Sequence, residues 1–261
     1  MRNFLLLFLF TFVLVALVPF YPSAVEKETH PLPEDEYILN VMLGMGTDIL
    51  PDEALKAIAV TLRTYTAFHG KVLPEGSYED VCASTSEDHG QQVYNAMREA
   101  VYATSGEYIT YGGKIINACF HASSNQFTAE GNEPYLRSVS TPDERAYPAF
   151  YGETVITREK MLSFGKGEVK GVSYGADGKA KQVIFEKEET DVLEFIKYFS
   201  VPSVDFTLHL NSDGGYTVLT KGEGNGLGLS LYGAYLLSLE GNTYKQIICR
   251  YFAGAEITCI I

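Results

Sequence analysis

The 261-residue chain contains no tryptophan, so any aromatic platform it offers a ligand must come from its 18 tyrosines and 15 phenylalanines. Basic residues are also scarce: 20 Lys and Arg face 33 Asp and Glu, a formal charge of −13 with a pI near 4.8. That balance argues against a nucleic-acid partner, because neutralising phosphates requires a basic face. Cysteine is limited to Cys82, Cys119, Cys249 and Cys259, and no zinc motif uses all four at these spacings. Internal repeats are lacking, and the glycines of residues 222–233 fit neither nucleotide-binding fingerprint. What is present is enough for a core. With 46% hydrophobic and 20% charged residues, the chain is neither disordered nor a polytopic membrane protein. Its length suits one large domain or two small ones.

The one long apolar run, Phe4 to Phe20, is uncharged and preceded only by Met1, Arg2 and Asn3. It reads as a secretory signal or an uncleaved membrane anchor, near the lower end of the about 17 to 25 residues that span a bilayer. Pro22-Ser23-Ala24 is a poor cleavage match beside the bulky Tyr21, which favours an anchor. Residues 1–24 are therefore expected to be signal or anchor, residues 25–35 a linker, and residues 36–261 a domain at the cell membrane or secreted. Outside the cytoplasmic membrane thiols can oxidise, so Cys249 and Cys259 are either a pair or two separate thiols.

Helical periodicity is clearest over residues 51–69, with Pro51 in the first turn, Asp52 and Glu53 after it and Gly70 as the stop. Leu55, Ile58, Ala59, Leu62 and Tyr65 form one stripe, with Lys56 and Arg63 off it. A second helix is predicted over 91–105. The period then alternates. Residues 107–111 and 114–121 read as a hairpin around Gly112-Gly113, residues 135–139 as a strand, and residues 169–174 with 180–186 and 206–210 with 216–220 as further hairpins. Short helices are expected from Thr157 and Thr190, and longer ones over 229–240 and 243–252, the last opened by a Thr243/Gln246 capping box. Helices segregated from antiparallel hairpins predict an α+β fold, with a β-rich middle part in which residues 155–204 form a lobe or share the main core.

The stretch Glu53-Ala-Leu-Lys-Ala-Ile-Ala-Val-Thr-Leu-Arg-Thr-Tyr65 resembles the signature helix of the stage II sporulation protein D family, which includes the amidase enhancers. The resemblance continues through residues 103–114, through Ala118-Cys-Phe-His-Ala-Ser-Ser124 and Pro134-Tyr-Leu-Arg-Ser-Val139, and into residues 222–234 and 244–257. It implies a peptidoglycan protein of spore-forming bacteria: a lytic transglycosylase acting on peptide-free glycan strands, held at the membrane beside cell-wall amidase and anchor proteins, without a cofactor. In that reaction one carboxylic acid protonates the glycosidic oxygen and then, as carboxylate, deprotonates the muramic 6-hydroxyl. The family carries it as the Glu of a Glu-Met-Pro triplet eight residues before the signature. Here that position is Met45, whose thioether can do neither.

Asp48 is the nearest substitute acid. Where the family shows Gly-His-Gly and Met-Ser-Gln-Tyr-Gly, this chain has Gly224-Asn225-Gly226 and Leu229-Ser-Leu-Tyr-Gly233. Cys82 and His89 match part of a zinc block found in some members, but Gly90 replaces its next Cys, so no metal is expected. Candidate glycan contacts are Lys56 and Arg63 for muramic carboxylates, unless these are helix charges or an internal ion pair; Tyr65 for stacking; and His121, Ser123, Ser124, Thr128, Asn225, Ser230 and Tyr232 for sugar hydroxyls. A Met45-bearing chain is expected to bind glycan without cutting it, or to cut with another acid.

Overall fold

The structure is a computed structural model and describes residues 34–46 and 48–260. The expected signal or anchor lies outside them. In chain order the elements are α1 (Glu34–Met45), α2 (Asp52–His69), α3 (Tyr78–Ser84), α4 (Glu87–Ala103), β1 (Glu107–Tyr111), β2 (Lys114–Ile115), β3 (Phe120–His121), β4 (Tyr151–Ile156), α5 (Arg158–Ser163), β5 (Val169–Tyr174), β6 (Ala180–Phe185), β7 (Glu189–Asp191), α6 (Val192–Phe199), β8 (Phe206–Leu210), β9 (Tyr216–Lys221), β10 (Leu229–Ser230), α7 (Leu231–Leu239), α8 (Tyr244–Tyr251) and β11 (Glu256–Cys259). The fold is α+β, as the segregated patterns predict. The described residues divide into two compact units, 34–119 with 234–260, and 120–233.

In the first unit α2 is the central element. Its expected start and stop are observed, with Gly70 at φ 83° ending it. Its burial differs from the single predicted stripe: Ala54, Leu55, Ala57 to Thr64 and Thr66 are all buried, because α1, α4, α8 and β1 surround the helix. Two helices escape the periodicity argument. In α1, three acids sit in the first turn, where they complement the helix dipole, but the apolar residues after them are too continuous to show a stripe. The short α3 is opened by a Ser77/Asp80 capping box. Helix α4 begins at Glu87, four residues before the predicted start, with Ser86 as its N-cap. Strand β1 pairs antiparallel with β2 and also with β11.

The second unit holds two three-stranded antiparallel sheets, β4-β9-β8 and β5-β6-β7. Ile156, Phe185, Phe195, Phe199, Phe206 and Val218 belong to one core, so most of the 155–204 segment packs with β8 and β9 rather than around a core of its own. The predicted strand over 114–121 is split. Only β2 joins the hairpin, while β3 pairs in parallel with β10. Residues 135–139 form no strand, because the Ser138 amide and the Arg137 side chain bind the Glu130 carboxylate instead. Helix α7 starts two residues later than predicted, with Ser230 accepting from the Gly233 amide at 3.1 Å. All four cysteines are unbridged.

Gly222 and Gly224 explain why the late glycine-rich segment is needed. Their φ angles are 66° and 108°, and an added Cβ would lie 2.6 Å from the Ser123 carbonyl oxygen and 2.7 Å from the His121 Cβ. The glycines let one backbone run against another at close range, which is a packing role.

Candidate functional site

In the first unit, Met45 is the last residue of α1 and is half-buried. Asp48, three residues on, is half-buried too. Its carboxyl is raised above the ordinary aspartate value by burial, against the opposing pull of His89. Lys56 is engaged locally, 2.5 Å from Asp52 and 3.2 Å from Glu53. The Glu53 carboxylate also receives the Tyr244 amide at 2.6 Å, tying α2 to the start of α8.

Arg63 corrects the expectation of a glycan-binding cation. Its side chain is 0% exposed. One terminal nitrogen donates to the Thr104 carbonyl at 2.8 Å, the other to the Val101 carbonyl at 3.0 Å and to Asp35 at 2.9 Å. The guanidinium thus adds a charged donor to carbonyls at the end of α4, where the helix ladder stops and only the longer bonds from Thr104 and the Glu107 amide remain. The internal ion pair is the observed role. Tyr65 is half-buried, its ring 4.3 Å from that of His69. Among the described residues no group of three or more His, Cys, Asp or Glu is arranged to hold a metal, and a side chain at Gly90 would collide with Cys82 Sγ.

In the second unit, the groups expected to face sugar hydroxyls point inward. His121, Ser123, Ser124, Thr128 and Ser230 are each at most 3% exposed. The parallel pairing of β3 with β10 places His121 and Ser230 in the interior, where His121 meets Ser124, Thr128 binds the Arg137 and Val139 backbone, and the Ser123 hydroxyl has no partner among the described residues. His121 Nδ1 lies 3.0 Å from the Leu227 carbonyl, which can only accept, so Nδ1 carries the proton. Nε2 is then the acceptor of the Ser124 hydroxyl at 2.5 Å. Burial pushes this imidazole down to about 4, so it is neutral at neutral pH. Asn225 and Tyr232 are half-buried; the Asn225 side chain accepts from the Leu227 amide at 3.0 Å, and the Tyr232 ring lies 5.4 Å from that of Tyr147.

The chemistry of this cluster centres on a residue the sequence does not signal. Glu144 follows Pro142-Asp143 and precedes Arg145, a stretch that reads as an ordinary solvated charge run, yet it is 1% exposed. Its Oε2 accepts from the Ser124 amide and the Ser230 hydroxyl, both at 2.7 Å. Its Oε1 is buried with no hydrogen-bond partner among the described residues. Burial raises the carboxyl to about 7, overcoming the Ser124 and Ser230 donors, the nearby Thr141 hydroxyl and the positive charge of Lys179. A second buried carboxyl, Glu223, accepts from the Tyr147 hydroxyl at 2.6 Å and is likewise raised by burial. Lys179 is held by Asp205 at 2.6 Å and by the Asn125 carbonyl at 2.8 Å. The unit therefore encloses an acid that exchanges protons near neutral pH beside two hydroxyls and a neutral imidazole.

Comparison with known proteins adds to this geometry. The family model described as Stage II sporulation protein matches residues 24–111. The chain is 27% identical to Stage II sporulation protein D of Bacillus subtilis over 92% of its own length and 78% of the relative's. It is 24% identical to the protein of the same name from Bacillus amyloliquefaciens, with the same coverage. It is 22% identical to the amidase enhancer of Bacillus subtilis over 79% of this chain and 38% of that protein. These likenesses support reading the chain as a divergent relative of the stage II sporulation protein D proteins.

Proposed function

We propose that this protein is an extracytoplasmic cell-wall protein of sporulation or division, tethered or exported through its N-terminal apolar segment, that engages peptidoglycan glycan strands without the family's catalytic acid. The observation that carries this reading is Met45. It closes α1 just ahead of the signature helix, and a thioether has no proton to give a glycosidic oxygen. The likeness to an amidase enhancer supports a working relation with cell-wall amidases.

A second reading keeps catalysis and assigns it to Asp48. Its partial burial favours the protonated carboxyl that a general acid needs, and the same half-buried position leaves it open to a ligand. One experiment separates the two. Purified protein, its Met45→Glu variant and its Asp48→Asn variant are incubated with peptide-stripped glycan strands, and both co-sedimentation and release of anhydromuramyl products are measured. Binding without product in the wild type, with product gained in Met45→Glu, supports the first reading. Product from the wild type that disappears in Asp48→Asn supports the second. Absence of binding in every form rejects both.

A further inference from the structure

Residues 122–150 run between β3 and β4 without a helix or strand. Unstructured connections longer than about 12 to 15 residues are uncommon in compact units and tend to be functional. Isolated bridges from Ser123 to Glu223 and from Phe127 to Ser140 tie this segment down, as does Glu144. Through one oxygen Glu144 binds both edges of the β3 and β10 pair: the Ser124 amide just after β3, and the Ser230 hydroxyl that caps α7.

The geometry leaves Glu144 unsatisfied in either charge state. As a carboxylate it buries a negative oxygen that has no donor. As an acid it carries its proton on Oε1, since Oε2 already accepts two hydrogen bonds, and that hydroxyl has no acceptor among the described residues. A neutral unpaired hydroxyl costs far less to bury than an unpaired charge. The surrounding groups do not reverse this: the Thr141 hydroxyl, which lies close enough to favour the carboxylate, donates to the Pro142 carbonyl at 3.3 Å. His121 is neutral and spends Nε2 on Ser124, Glu223 is occupied by Tyr147, and Lys179 is committed to Asp205. On the segment itself, Asp143 and Arg145 pair with each other at the surface.

We propose that Glu144 is a proton-operated latch: protonated, it holds the 122–150 segment closed over the β3 and β10 pair, and ionised, it releases that segment and uncovers His121, Ser124 and Ser230. The latch belongs to residues 120–233 and does not rest on the glycan reading. Opening moves Glu144 from its buried value of about 7 toward the ordinary 4.5, so the open form releases a proton. Opening is therefore suppressed below about pH 4.5, becomes about tenfold easier per pH unit as pH rises toward 7, and levels off above that.

Amide hydrogen exchange on the full chain tests this, with protection expressed relative to the intrinsic rate at each pH. The Ser123, Ser124, Tyr232 and Gly233 amides should lose about tenfold in protection per unit from pH 5 to 7, whereas Glu144→Gln should make protection independent of pH. Constant protection in the wild type, or the same loss in Glu144→Gln, overturns the latch. Should Glu144→Gln fail to fold, carboxyl-carbon NMR of the wild type decides: a Glu144 titration near neutrality supports the latch, and one at the ordinary glutamate value overturns it.

Discussion

Arg63, in the unit of residues 34–119 and 234–260, and Glu144, in the unit of residues 120–233, are withdrawn from water to nearly the same degree, at 0% and 1% exposure. Their surroundings differ in how many fixed partners they supply. Arg63 reaches two helix-end carbonyls and a carboxylate, and only its Nε lacks a partner among the described residues. Glu144 has two close donors, both on one oxygen, and among the described residues only the nearby Thr141 hydroxyl, turned to the Pro142 carbonyl, for the other. A buried charge with acceptors on most sides stays charged and braces the helices around it. One with half its shell missing responds to pH instead, which is the behaviour expected of a working group rather than a brace.

The sharpest way to break this comparison is Arg63→Ala. It takes the charged donor from the Val101 and Thr104 carbonyls, which keep only longer bonds from Thr104 and Glu107, and the ion-pair partner from Asp35, and should cost about 3–5 kcal/mol of unfolding free energy, read by chemical denaturation. A loss below about 1 kcal/mol would mean that Arg63 is no brace. Glu144→Gln comes next and has a distinctive sign. The folded carboxyl titrates at about 7 against 4.5 unfolded, so its contribution is full below about pH 4.5 and lost as pH rises through 7. Relative to Glu144→Gln, the wild type should therefore lose about 2–3 kcal/mol between pH 5 and pH 8, measured as the difference between two denaturation series. Equal slopes for the two proteins would erase the contrast with Arg63.

Legibility in the sequence follows the same divide. Helix α2, the 169–185 and 206–221 hairpins and the Thr243 capping box are set by local rules of spacing and turn chemistry, and they appear where those rules put them. The family blocks are legible because they are residue strings. Burial is not a local property. Arg63 reads as an off-stripe surface cation until α4 is packed over it, and Glu144 reads as one charge in an exposed turn until β3 and β10 close beside it. The hydroxyls at Ser124 and Ser230 were legible as a polar set, but their inward direction comes from a parallel pairing between segments more than a hundred residues apart.

Smaller perturbations sharpen the contrast from each side. Ser230→Ala removes both the α7 cap and one of the donors to Glu144, so it should cost about 1–2 kcal/mol and move the Glu144 titration further upward. If stability falls while the titration stays put, the cap alone matters and the carboxyl is insulated from its neighbour. Lys56→Met should change stability least. Its partner Asp52 is 61% exposed, and such pairs contribute about 0–1 kcal/mol, most of it removed by salt. A near-zero effect beside a large one for Arg63, about two turns further along the same α2, would show that position on the chain says little about a cation's role and that the acceptors enclosing it decide.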